Sequence, residues 1–248
     1  MKTTLIVPVF NRPDSLVLAI RSLIRERNDV DLDILIVDDG STDQTPQVIA
    51  DLADRHPEIR HVRRDNGGVT KARNTGLKNL LAETEIVSFL DSDDTLAAGR
   101  FAADMPILET QPEIEVTYGN MVATKEIDPV TLLPGEGAAQ KEITGIHLTC
   151  ALMRRSMIAR IGRFDESLQQ AEDTDYLLRI FESGTRFVQT PTICFYYLRH
   201  DGGMTRDFDV GRKYFALAVM KSMQRRKADP TRKLDKPTFD IMLPPELI

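Results

Sequence analysis

Two hydrophobic periodicities alternate through roughly the first ninety residues, and that alternation limits the fold more than any other feature of the chain. Short aliphatic runs at Thr3–Val9, Asp33–Val37, Ile59–Val62 and Ile86–Leu90 read as buried strands. Between them, apolar residues recur at helical spacing. The first set is Leu16, Ile20, Leu23 and Ile24, with Asp14 and Ser15 as candidate caps. The second is Val48, Ile49 and Leu52, which Thr42 or Asp43 can cap. The third is Ala72, Leu77, Leu80 and Leu81, over a helix from about Thr70 to Leu81. This order predicts an α/β fold with a mostly parallel sheet and crossover helices. Ligands in such sheets bind beyond the carboxyl ends of the strands. The residues to inspect are therefore Phe10, Asn11 and Arg12, then Asp38, Asp39 and Gly40, then Asp91, Ser92, Asp93 and Asp94.

The second half is less regular. Helices are expected over Gly99–Glu109, Asp173–Ser183 and Val210–Lys227, and strands over Glu115–Thr124 and Arg186–Tyr197. Asp128–Gly137 reads as a loop, and Cys150–Met153 as strand or buried helix. The stretch from Asp229 carries four prolines and reads as an arm.

With 42% hydrophobic and 28% charged residues, the chain has enough apolar surface to build a core. No apolar run approaches the roughly 20 residues of a spanning helix. The opening Met1–Arg12 lacks the layout of a secretory leader, so a cytoplasmic location is expected. Cys150 and Cys194 sit in apolar contexts and read as buried thiols, not as a disulfide framework or metal site. Arg206–Lys236 holds ten Lys and Arg against four Asp, a local +6, which leaves −12 on the rest of a chain of net −6. So acidic a body argues against nucleic acid as a partner.

Chemistry concentrates in the two acidic clusters, Asp38-Asp39-Gly40-Ser41-Thr42-Asp43 and Asp91-Ser92-Asp93-Asp94. Carboxylates this close repel one another unless a cation or a donor sits between them. In Asp-x-Asp on an extended strand both carboxylates leave on the same side and can share a hard ion, Mg²⁺ or Mn²⁺. The competing explanation is turn formation and helix capping, which Asp and Ser perform widely. Asp94 reads as a cap.

Five segments in order carry a resemblance: Ile6-Val7-Pro8-Val9-Phe10-Asn11-Arg12, Val37-Asp38-Asp39-Gly40-Ser41-Thr42-Asp43, Asn66-Gly67-Gly68-Val69 with Ala72-Arg73-Asn74-Thr75-Gly76, Phe89-Leu90-Asp91-Ser92-Asp93-Asp94, and Glu172-Asp173. Together they resemble the inverting glycosyltransferases of the GT-A fold, family 2, closely to about residue 95 and more loosely to about 205. The resemblance implies a nucleotide-sugar donor, usually a UDP-sugar, a divalent metal (Mn²⁺ or Mg²⁺), and a glycan or lipid-linked acceptor, as in polysaccharide biosynthesis. It implies that Pro8, Phe10, Asn11 and Arg12 surround the nucleoside, and that Asp39 contacts uracil with support from Asp38. Phe10 as plain core and Asp38 as a turn cap are the alternatives. Asn66 borders the nucleotide, with Lys71 or Arg73 near phosphate or ribose; Arg73 serves equally well as a buried partner of Asp91 or Asp93. Asp91 is placed toward the ribose, through Ser92 to Asp93 as metal ligand, with Asp91 also counted in the metal group. Asp173 is implied as general base, against the alternative of an ordinary acid in a helix first turn. His200, in Arg199-His200-Asp201-Gly202-Gly203, is implied as a third metal ligand or diphosphate donor, with Arg199 beside it and Gly202 and Gly203 as hinge.

The expected division is a nucleotide-sugar-binding half over 1–94, an acceptor half over 95–205, and a C-terminal helix with a basic tail over 206–248. Lys213, Lys221, Arg225, Arg226 and Lys227 form either a solvated face or a contact with anionic lipid at the inner face of a membrane. No phosphate-binding Gly-x-x-x-x-Gly-Lys, Gly-x-Gly-x-x-Gly, Gly-x-Ser-x-Gly or His-Glu-x-x-His occurs. Two rival readings remain: a non-catalytic nucleotide-sugar-binding protein and a sugar-phosphate nucleotidyltransferase.

Overall fold

A computed structural model of the chain describes residues 1–200 and 208–240. Gly202 and Gly203, expected as a hinge, lie outside the described residues. Four strands, β1 (Lys2–Val9), β2 (Asp31–Asp38), β3 (Ile59–Arg63) and β4 (Ile86–Phe89), pair in parallel in the order β3-β2-β1-β4. β1, β2 and β4 are buried on both faces, which explains their unbroken aliphatic sequences. α1 (Pro13–Ile24), α2 (Thr45–Arg55) and α3 (Val69–Lys78) make the crossovers. Pro13 opens α1 and no side chain caps α1 or α2, although Asp43 accepts the Thr45 N–H at 2.9 Å. α3 stops at Lys78, three residues short of the expected end, because the Asn79 N–H turns back onto the Gly76 carbonyl.

Beyond β4 the sheet becomes mixed. β5 (Thr95–Leu96), β6 (Val116–Thr124), β7 (Gln140–Ile143), β8 (Ala151–Arg154) and β9 (Phe187–Leu198) continue it as β4-β8-β6-β9-β5, with β7 on the flank of β6. A 3-10 turn, Leu148–Cys150, runs into β8, which resolves the ambiguity there in favour of a strand. α4 (Arg100–Thr110), α5 (Arg155–Ile161), α6 (Glu172–Glu182) and α7 (Phe208–Ala228) complete the order. Among the described residues no helix is long and apolar enough to cross a membrane. Cys150 and Cys194 are buried free thiols, and Cys194 Sγ lies 3.6 Å from the Cys150 carbonyl.

Three expectations need correction. Residues 229–240 are not a detached arm: Phe239 packs on Tyr118 and Phe181, and Thr144 and Asp240 exchange two hydrogen bonds of 2.8 and 3.0 Å. Lys221 and Arg225 do not belong to a solvated face, since Lys221 pairs with Asp165 and Arg225 with Asp175 and Glu182. Asp94 caps no helix. Its Oδ1 accepts the Leu198 N–H at 2.9 Å, and α4 starts only after Gly99.

Candidate active site

The parallel register brings three chain segments to one edge. Val9 lies opposite Asp38, and Ile6 opposite Phe89, so the residues after β1, β2 and β4 leave side by side. They open into a cavity of about 1110 Å³. On its wall stand Pro8, Phe10, Arg12, Asp39, Asn66, Asp91, Ser92, Asp93, Asp173, Arg199 and His200. Asn11, Asp38 and Lys71 do not line it.

The first edge is built by turns. Asp38, 2% exposed, accepts the Ser41 N–H at 2.8 Å and pairs with Arg63 at 3.0 Å, so it holds its own turn. Asn11 accepts the Thr42 N–H at 2.8 Å through its side chain and donates its own N–H to Ser41 Oγ at 3.0 Å. Asp39 accepts from the backbone of Gly67 and of Gly68, the latter at 2.7 Å, and pairs with Arg64. The Gly67 N–H is shared between both oxygens, so three donors already engage a carboxylate that offers about four acceptor sites. Gly40 makes this junction possible: its φ is +78°, and a Cβ there would lie 2.7 Å from the Asn66 nitrogen. Phe10 is 44% exposed, which rules out plain core packing.

The second edge is built around Arg73, which is 3% exposed. It donates to Asp91 at 2.8 Å and to Glu172, joining the end of β4 to the start of α6. Of the two open possibilities for Arg73, the structure shows the buried partner of Asp91. Asp91 and Asp93 do not extend from a strand. β4 ends at Phe89, and Asp91–Asp94 forms a turn closed by the Asp94 N–H onto the Asp91 carbonyl at 3.1 Å.

Charge here is finely opposed. Burial works against ionised Asp91, but Arg73 and His147 outweigh it and hold the carboxyl well below the usual carboxylate range. Burial, with Asp93 and Asp91 adding repulsion, pushes Asp94 well up. Burial also pushes Glu172 up to about 7; Arg73 pulls it back and neighbouring Asp173 pushes it further. Glu172, though buried, and Asp173 both line the cavity from the first turn of α6. Asp173 Oδ1 accepts the Thr174 N–H at 2.6 Å. Ala171 sets this orientation from a left-handed conformation, φ +55°, which costs a side-chain-bearing residue about 1–2 kcal/mol.

Hard oxygens and imidazoles crowd one corner. His200 Nε2 lies 3.0 Å from Asp93 Oδ2, and His147 Nε2 lies 3.4 Å from Asp91 Oδ2. Ligand atoms of Asp91, Asp94 and His147 fall within 4.8 Å of one another. Asp94 Oδ2 is buried without a hydrogen-bond partner. A buried, unsatisfied carboxylate oxygen beside two further acids and an imidazole fits a divalent cation. His147 was invisible to sequence reasoning, since nothing in Thr144-Gly145-Ile146-His147 repeats a motif. Lys125, Gln170 and Phe215 also line the cavity without having been anticipated.

The chain is 26% identical over 219 residues to the uncharacterized glycosyltransferase EpsJ of Bacillus subtilis (strain 168), spanning 82% of this chain and 62% of EpsJ. Its fold is similar to that of S. aureus TarS 1-349 in complex with UDP-GlcNAc, with a TM-score of 0.68 at 19% identity, covering 92% of this chain and 73% of that one. It is similar in the same way to the mannosyltransferase PcManGT from Pyrobaculum calidifontis in complex with GDP-Man and Mn²⁺, with a TM-score of 0.65 at 21% identity over 92% of this chain and 64% of that one. These neighbours carry the GT-A arrangement seen here, an α/β sheet with flanking helices. The family model for glycosyl transferase family 2 matches residues 4–162, well over half of the chain, and the chain belongs to that family.

Proposed function

We propose that this glycosyltransferase moves a sugar, with inversion, from a nucleotide diphosphate donor to a hydroxyl of a glycan or lipid-linked acceptor, and that the donor is a UDP-sugar. The observation that carries the proposal is that Asp39, Asp93 and Asp173, supplied by three separate segments, line one cavity. Phe10 offers its exposed ring to the base, and Asp39 offers a carboxylate to an imide N–H. Asn66, Arg12 and Arg199 complete the donor wall. Asn11 and Asp38 act at one remove, by shaping the turns that hold it, and Lys71 stands in the first turn of α3 behind the wall. Ser92 and Asp91 face the ribose.

A divalent ion would fit among Asp91, Asp94 and His147, whose ligand atoms converge, and not in the expected set of Asp91, Asp93 and His200, since Asp93 is paired with His200 at 3.0 Å. When bound, it would neutralise charge on the diphosphate as a Lewis acid. The chain's own residues supply the rest. The acceptor oxygen attacks the anomeric carbon from the face opposite the diphosphate, the bond to the leaving phosphate oxygen breaks, and the acceptor proton passes to Asp173. The Thr174 N–H already occupies Oδ1, which leaves Oδ2 to take that proton.

Asp173→Asn tests the assignment. It should lower donor turnover by about 10²–10⁴-fold while leaving the melting-point rise produced by UDP and Mn²⁺ intact. Unchanged turnover removes Asp173 as base. The absence of any shift with UDP compounds removes the donor. Release of pyrophosphate instead of UDP points to nucleotidyl transfer, and UDP binding without turnover in the wild type points to a binding protein.

A further inference from the structure

α7 packs against the body on one side and carries exposed apolar residues on the other. Its inner side packs onto the body through Ala218, 0% exposed, and Ser222, 2% exposed, and is fixed there by the Lys221–Asp165 and Arg225–Asp175 pairs. Its outer side carries Phe215, Met220 and Met223, exposed by 47%, 54% and 58%. At 3.6 residues per turn these three fall on one continuous stripe together with Ala216 and half-buried Val219. Exposed Arg212 and Lys213 border the stripe at its N-terminal end, with exposed Asp209 one turn before them, and half-buried Arg226 and exposed Lys227 border it at its C-terminal end. An exposed apolar patch rimmed by charge marks an interaction surface.

The charges select the covering. A second copy of this chain laid on the stripe would set net-basic end against net-basic end, whether the two helices ran parallel or antiparallel, because Asp209 offsets only one of Arg212 and Lys213. An acidic surface with an apolar interior meets both requirements, because basic heads stay at the headgroups while Phe and Met side chains enter the acyl boundary. We propose that the outer face of α7 docks on an anionic lipid surface. Gly211 and Phe215 of the same helix also line the cavity, so docking holds the cavity mouth at the interface. This extends the proposed function toward lipid-anchored acceptors, but lipid binding itself does not depend on that function.

The experiment is co-sedimentation of the full chain with phosphatidylcholine vesicles, pure or carrying about one-third phosphatidylserine. Partitioning onto the anionic vesicles is expected to exceed that onto the neutral ones by about tenfold or more at 0.1 M salt, and to collapse near 1 M as the screening length shrinks from about 10 Å to about 3 Å. Met220→Gln with Met223→Gln is expected to weaken partitioning by about tenfold. Arg212→Gln, Lys213→Gln and Lys227→Gln are each expected to weaken it by about fivefold. All these variants should keep the thermal shift with UDP and Mn²⁺, so failure of docking and failure of the donor assignment read out separately. Equal partitioning onto both vesicle types, no partitioning at all, or Met variants that partition like wild type would overturn the proposal. So would a dimer in solution that the Met variants dissolve.

Discussion

The two edges of the cavity are held in place by different means. On the β1–β2 side, Asp38, Asp39 and Asn11 are fixed by backbone hydrogen bonds within or between neighbouring turns. On the β4–α6 side, Asp91 and Glu172 are fixed by one buried guanidinium that spans 99 residues of sequence. α6 is in turn tied to α7 through Arg225, whose partners Asp175 and Glu182 are each 1% exposed. Loss of one side chain on the turn-built edge removes its own bond to a backbone N–H but leaves those made by the other side chains in place. An edge built on buried ion pairs is more sensitive, because removing one member strands the other charge out of water.

Arg73→Met should therefore be the most damaging change to stability in the site. It strands Asp91 and Glu172 together, and urea unfolding at pH 7 should show a loss of about 3–5 kcal/mol. Arg73→Lys should recover only part of that loss, since an ammonium cannot reach both carboxylates as a planar fork does. A loss below about 1 kcal/mol for Arg73→Met would mean that the two edges are built alike.

Glu172→Gln probes the same edge through pH. The Glu172 carboxyl moves from 4.5 up to about 7 in the folded chain, so its protonated form adds stability that is complete below pH 4.5 and is lost as pH rises through about 7. The glutamine cannot ionise. The stability difference between variant and wild type should thus swing in the variant's favour by about 3 kcal/mol between pH 4.5 and 8, with urea midpoints as the measure. A flat difference would place the Glu172 proton affinity at its unfolded value.

The same contrast explains what the sequence revealed. β1, β2 and β4 were legible because strands buried on both faces must be continuously aliphatic, and because their tips define the site without reference to the rest of the chain. β7 was illegible: Gln140, Lys141 and Glu142 are exposed and polar, so only pairing with β6 makes them a strand. β5 is two residues long and exists through β9. His147 reaches Asp91 only because the 3-10 turn and β8 fold against β4, a contact with no local signature. Lys221 and Arg225 read as solvent-facing because their acidic partners lie more than forty residues away. Prolines made 229–240 resemble an arm, while the aromatic that anchors it, Phe239, is a single residue.

The smallest effect is expected on the turn-built edge. Asp38→Asn keeps an oxygen for the Ser41 N–H and loses only the attraction to Arg63, whose side chain is 52% exposed and can turn to water. The stability loss should be about 1 kcal/mol. Because Asp38 lies behind the cavity wall and not on it, the shift with UDP and Mn²⁺ should stay within error of wild type. A loss of several kcal/mol would show that the β1–β2 edge depends on a buried charge after all. Weakened UDP binding at unchanged stability would instead move Asp38 from support of the turn to direct contact with the donor.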